Sequence, residues 1–302
     1  MSTLIYSVRE DEAGQSDWSG NDRRQVNLVI GFVVLAIGPG VFLVDRLIGT
    51  VAWRAFFAEA LSLCLYAALA VWYALRRQPR TARQVAIVVY VIGLFIMGLV
   101  DILTKRGLGE SLVDSARAKD PILLAGVLML LFLPLIGWVV WRYPVEMGRI
   151  GLGRGYSRSR LALFVLVGLG VGLLVSAHFW LTARIAGIDF EAKPWPYLAW
   201  QFFYEVGPQS LTEELFLRGV VFNELYFVRT WNFWAAALAA SSLELLSLLV
   251  KQNYSVSALV VAGAVFYTLV SSLVSAGLFR WSHSAIPGYA NNVVFGVLTA
   301  FR

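Results

Sequence analysis

The sequence predicts an all-α, polytopic membrane protein with about eight to nine transmembrane helices. Three observations predict it. Of the 302 residues, 59% are hydrophobic and 15% charged, with a mean hydropathy of +0.70, which is too apolar for an ordinary soluble domain. Several apolar runs reach or approach the roughly 20 residues that a helix needs to cross a hydrocarbon core about 30 Å thick. Those runs are continuous rather than alternating, which excludes the strand pattern of a membrane barrel.

Residues 1–25, "MSTLIYSVREDEAGQSDWSGNDRRQ", are polar and of mixed charge and lack the short apolar core of a signal peptide, so they read as a cytoplasmic tail. Apolar spans follow near 28–44, 55–75, 85–103, 121–141 and 161–183. A more polar one covers about 196–227, and three more lie near 233–250, 257–279 and 285–301. No internal repeat or long linker divides them. The simplest partition is a tail (1–25), N-terminal transmembrane helices (26–190) and a core containing the polar span (191–302). The single cysteine, Cys64, lies inside an apolar run, where it fills space and has no intrachain disulfide partner.

Arginine sets the orientation. "RRQPRTAR" (76–83) carries four arginines and "RYPVEMGRIGLGRGYSRSR" (142–160) carries five, whereas the loop at 104–120 nearly offsets its four bases with three acids. The positive-inside rule places both Arg-rich loops and the N-terminus in the cytoplasm, with Arg229 and Arg280 on the same side and Lys251 outside. The expected location is the cell inner (plasma) membrane. The net charge of +6 is then accounted for by basic loops at anionic lipid, with no nucleic-acid partner. Tryptophans at span ends, among them Trp138, Trp141, Trp195, Trp231, Trp234 and Trp281, mark the interfaces.

Against this apolar background "SLTEELFLRGV" (210–220) stands out. An ionisable group within a span is costly, so it needs a reason. Glu214 and Arg218 are spaced i, i+4 and can pair on one helix face. "SLTE" after Gly207 and Pro208 reads as a capping box that starts a helix. Glu213 is left over, and a carboxylate in a partly hydrated cavity can act as a general base towards water. Glu244, in the middle of "AASSLELLSLL", shares a stripe with Ser241 and reads either as a polar face against Arg218 or as a further acid or base facing Glu213. Glu224 falls near the cytoplasmic end and reads as a solvated rim residue.

"EELFLRG" (Glu213, Glu214, Arg218, Gly219) resembles the first motif, EExxxR, of the CPBP family, the CAAX-protease and Abi group of glutamate-type intramembrane proteases. Pro208 shortly before it and three hydrophobic helices after it fit that context, and the resemblance covers about 195–300. It implies an intramembrane endopeptidase acting on a lipidated C-terminus, a leader peptide or a sorting anchor. Glu213 would be the base, and Glu214 with Arg218 the supporting pair. The second motif, F-x-x-x-H, falls on Leu245 and Leu249. The third, H-x-x-x-N, falls on Gly288 and Asn292, so only the asparagine remains.

The chain's two histidines lie elsewhere: His178 beside aromatic residues of an earlier span, and His283 in a cytoplasmic turn. An inventory of Glu213, Glu214, Asn292 and Glu244 argues against zinc and implies no cofactor, and a metal-free route would use Asn291 or Asn292 as oxyanion donor. The alternative is a degenerate relative that binds transmembrane helices or a partner protease without cutting. An unrelated transporter or scaffold is the remaining reading, but it predicts repeat symmetry that the chain lacks.

Overall fold

The structure, a computed structural model, describes residues 27, 51–104, 126–153, 156–188, 193, 195–251 and 258–300. The expected tail and the expected span at 28–44 lie outside the described residues. Every regular element among those described is helical. The helices are α1 (Val51–Ala74), α2 (Pro79–Thr104), α3 (Phe132–Arg142), the short α4 (Pro144–Gly148), α5 (Arg158–Ile185), a long helical rod α6 over residues 195–228, α7 (Phe233–Lys251), α8 (Ala258–Ser282) and α9 (Ile286–Leu298).

Three segments, Pro79–Val100, Arg158–Ile185 and Val260–Ser282, are long and apolar enough to cross a membrane, and Ala60–Ala74, Gly126–Arg142 and Phe233–Leu245 are shorter apolar helices. Of the expected eight to nine spans, three are met by length and composition among the described residues. The motif rod is not among them; it carries Glu205, Glu213, Glu214, Arg218 and Glu224, all of them buried. Large apolar side chains lie on the surface: Phe95, Leu166, Leu174 and Ile185 are all exposed, as are Trp138, Trp141, Trp195, Trp231, Trp234 and Trp281.

Proline at the start of α2 and the four-residue turn before it fold α1 back against α2. Cys64 is fully buried there, and a Cβ at Gly93 would come within 2.9 Å of its sulfur, so it fills the α1–α2 contact. α5 makes its most extensive contact with α9. Lipid offers no hydrophobic drive for helix association, so close backbone approach through small residues takes its place. Gly168, Gly172 and Ser176 are buried along one face of α5. A Cβ on Gly168 would overlap the Pro287 carbonyl, and one on Gly172 would come within 2.7 Å of the Asn291 carbonyl. That contact fixes α9 where its asparagines face the motif rod.

The connections sort to two ends. Gln78 Nε2 donates to Glu146 (3.1 Å), Asn223 Nδ2 to the Arg149 carbonyl (2.9 Å), Tyr156 Oη to the His283 carbonyl (2.8 Å) and Ser284 Oγ to the Gly151 carbonyl (3.0 Å). Both Arg-rich loops, Arg229 and the α8–α9 turn thus share one end of the bundle, as the arginine pattern predicts. Residues 178–188 and 295–299 meet at the other, where the Trp180 indole donates to the Leu298 carbonyl at 2.8 Å.

A buried polar network around Arg218

Rod α6 begins as an α-helix at Trp195–Tyr204, widens to a π-helix at Glu205–Gln209, returns to α at Ser210–Glu213, and is π again at Glu214–Phe222 and Glu224–Val228. Pro208, which has no N–H to donate, sits in the first wide turn. No helix starts at Ser210, so the expected capping box is corrected. The Ser210 hydroxyl instead donates back to Glu205 at 2.5 Å, and the Ser210 N–H bonds to the Glu205 carbonyl. Wide turns of this kind redirect side chains and recur at functional sites. From Ser210 to Phe222 every residue is buried.

Arg218 lies at the centre and is completely buried. Its Nη1 stands 2.8 Å from a Glu244 oxygen on α7, its Nε 3.3 Å from Glu214 Oε1, and its Nη2 donates to Ser272 Oγ on α8 at 2.9 Å. Glu214 Oε1 also accepts from Asn292 Nδ2 on α9 at 2.7 Å. Asn292 Oδ1 in turn accepts from Ser271 Oγ (2.9 Å), Ser275 Oγ (3.3 Å) and Asn291 Nδ2 (2.9 Å). Glu214, Arg218, Glu244 and Asn292 are therefore one network that joins four helices, and of the two readings of Glu244 the polar face against Arg218 is the observed one.

Glu213 enters a different network. Gln209 Nε2 donates to its carboxylate at 2.5 Å, and Tyr204 Oη donates to Gln209 Oε1 at 2.7 Å. It is close enough for its charge to act on Arg218.

The third-motif position has a specific role. A Cβ on Gly288 would overlap Glu214 Oε2, so the Glu214 carboxylate fills the space that a side chain there would need. Leu245 is half-buried; the side chain of Leu249 lies outside the described residues. The Nδ2 atoms of Asn291 and Asn292 already donate within the network, Asn291 to Ser271 and Ser275 at 3.3 Å each. Neither is aimed at open space as an oxyanion donor.

The histidines stand apart from these groups. His178 Nδ1 lies 2.8 Å from Tyr267 Oη on α8, at the end of the bundle away from the Arg-rich loops. That end carries an apolar cavity of about 230 Å³ lined by Phe179, Tyr267 and Phe295. His283 is exposed in the α8–α9 turn at φ 54°, its ring 5.0 Å from that of Phe227. No group of three His, Cys, Asp or Glu side chains among the described residues is arranged to hold a metal ion.

Two carboxylates depart from the sequence reading. Glu224 is 1% exposed rather than a solvated rim residue: Tyr73 Oη donates to it at 2.7 Å, and Arg229 pairs with it at 3.0 Å. The wide turn of α6 swings it onto α1. Glu205, which no motif singled out, is also buried, accepting from Gln201 Nε2 (2.9 Å) and Ser210, with Gly296 of α9 packed on its carboxylate. Its signal in the sequence was the i, i+4 pair Gln201 and Glu205; that of the α8 serines was the 271, 272, 275 spacing in an otherwise apolar run.

No protein-family model matches the chain, and neither the curated proteins nor the solved structures contain a match.

Proposed function

We propose that the protein is a CPBP-like polytopic membrane protein that binds membrane-embedded polypeptide through its helical core without cutting it. In this reading the chain has eight to nine spans in the inner membrane, with the Arg-rich end and the N-terminus in the cytoplasm. The core at 191–302 is held by the Arg218 network, and its ligand is a transmembrane segment of a substrate or partner protein. One observation carries the proposal. The Glu214 carboxylate packs against Gly288, in the position where the resemblance calls for an imidazole, and its Oε1 is committed to Arg218 and Asn292. Glu214, Arg218, Glu244 and Asn292 thus form a structural set, and the amide donors of Asn291 and Asn292 are engaged within it rather than turned to a reacting carbonyl.

A second reading rests on Glu213. Its carboxylate lies outside the Arg218 network and is oriented through Gln209 and Tyr204, which is how a positioned base is held. In that reading Glu213 takes a proton from water as the hydroxide adds to a peptide carbonyl, then returns it to the departing amine.

Complementation of cells lacking the protein separates the two. Glu213→Gln at normal membrane abundance is expected to restore the missing trait, while Arg218→Ala is expected to fail. Failure of Glu213→Gln at normal abundance would favour hydrolysis.

A further inference from the structure

We propose that the apolar cavity between α5, α8 and α9 takes one acyl chain of an anionic phospholipid, with the lipid phosphate held by Arg184. The inference rests on the chain lying in a bilayer and is independent of whether the core binds or cuts polypeptide.

The first ground is how the small residues of the facing helices are used. At Gly168 and Gly172 they bring α5 against α9 until an added Cβ would collide with backbone. Nearer the end of the bundle away from the Arg-rich loops, Ala183 and Ala186 of α5 and Gly263 and Ala264 of α8 line the cavity instead. A Cβ added at Gly263 meets nothing within 4 Å. Small residues on neighbouring membrane helices ordinarily let the backbones close up; here they keep about 230 Å³ open. Thr182 and Ala186 line the cavity and are also exposed, so it opens sideways onto whatever surrounds the helices. An unfilled apolar wall forfeits dispersion contacts, and in a bilayer the material at that opening is hydrocarbon.

One wall is held in place by aromatic residues. The Tyr267 ring meets that of Phe179 edge-on at 5.0 Å, and its hydroxyl donates to the His178 carbonyl at 3.2 Å while lying 2.8 Å from His178 Nδ1. His178, which stands apart from the Arg218 network, thus fixes a side chain of the cavity.

Depth and charge select the ligand. On α8 the lining residues run from Val260 to Thr268, and the helix begins at Ala258. At 1.5 Å per residue that reaches roughly 15 Å in from the helix end, about half of a hydrocarbon core about 30 Å thick. One leaflet's acyl chain spans that depth. Trp180, whose indole donates to the Leu298 carbonyl, stands at this end as interfacial tryptophans do. Arg184 lies in the last turn of α5, between the lining residues Ala183 and Ala186; it is exposed, and its side chain has no partner among the described residues. A cation beside the mouth of an apolar slot one leaflet deep matches the phosphate at the head of an acyl chain. Thr182 adds a hydroxyl able to donate to an ester oxygen.

The test is native mass spectrometry of the purified full-length protein, reconstituted in vesicles of equal phosphatidylglycerol and phosphatidylcholine and then re-extracted in detergent. Wild type is expected to keep one lipid per protein, with phosphatidylglycerol favoured several-fold. Gly263→Leu fills the slot and is expected to lose the retained lipid, whereas Gly170→Leu adds the same bulk in open space and keeps it. Ala264→Leu is a second filling variant for the case in which Gly263→Leu fails to fold, with melting midpoints reporting folding. Arg184→Gln is expected to keep a lipid and lose the preference for phosphatidylglycerol. Undiminished retention in a folded filling variant, or no retained lipid in wild type, means annular lipid only and overturns the proposal. A preference that survives Arg184→Gln overturns the phosphate contact. A protein that does not float with the vesicles contradicts the membrane reading itself, and the proposal with it.

Discussion

Arg218 on the motif rod and Glu244 on the following helix meet at 2.8 Å, with the arginine wholly enclosed by protein. Their contact ties α6 to α7, and the remaining donors of the same guanidinium reach towards Glu214 and Ser272. A buried charge is tolerated because Glu214, Glu244 and Ser272 set oxygens around it, and removing it leaves carboxylates without a counterion.

The α5–α9 contact gives an expectation with an internal control. Gly172→Leu places atoms where the Asn291 backbone and Val294 already stand, whereas a Cβ on Gly170, two residues away, meets nothing within 4 Å. Gly172→Leu is expected to lower stability by about 1–3 kcal/mol or more through overpacking, and Gly170→Leu to leave it nearly unchanged. Melting midpoints in detergent compare the two.

At the third-motif position, Gly288→Ala is expected to cost about 1–3 kcal/mol, because the new methyl meets the Glu214 carboxylate. Shortening that carboxylate relieves the clash. In a Glu214→Ala background the cost of Gly288→Ala should fall to near zero, and chemical unfolding of the four proteins measures the difference.

Much of this was legible in the sequence, and the misses have physical causes. Composition and run length gave the all-helical class and helices apolar enough to cross a membrane, arginine distribution gave the sorting of loops to two ends, and i, i+4 spacing gave the Glu214–Arg218 contact. Glu244 against Arg218 followed from a lone acid in an apolar helix. What did not follow was the course of α6. Pro208 and the Ser210–Glu213 stretch suggest a helix start when read by α-helical rules, but π turns let the helix continue through them and move Glu224 into the interior. Periodicity of 3.6 cannot assign faces in a helix with wider turns. The Gly168, Gly172, Ser176 stripe was present in "GLGVGLLVS" but is short against a span that is apolar on every side.

Glu224 carries an expectation of its own. With Tyr73 and Arg229 both bonded to its carboxylate, Glu224→Ala is expected to destabilise by about 1–3 kcal/mol, chiefly by stranding the buried Tyr73 hydroxyl. Arg229 is 28% exposed in its side chain and can turn to solvent, so it adds little to that cost. Tyr73→Phe in the Glu224→Ala background should recover part of the loss in a urea unfolding series.

Sidedness can be read directly by labelling single cysteines placed at 80 and 187, with Cys64 replaced by alanine. Arg80 belongs to the Arg-rich end and Gly187 to the opposite one. An impermeant thiol reagent added to intact cells is expected to modify position 187 and spare position 80; modification of 80 alone would invert the orientation.

The central claim is that Glu214, Arg218, Glu244 and Asn292 form one structural network across α6 and its neighbours. A double-mutant cycle on Arg218 and Glu244 tests it most directly, using Arg218→Ala, Glu244→Ala and the pair, with unfolding free energies measured under one condition. The account expects Arg218→Ala alone to cost about 3–5 kcal/mol and the cycle to return a coupling of about 1–3 kcal/mol, the range for residues in direct contact. Costs that simply add, to within about 0.5 kcal/mol, would show that the two residues do not act on each other and would contradict it.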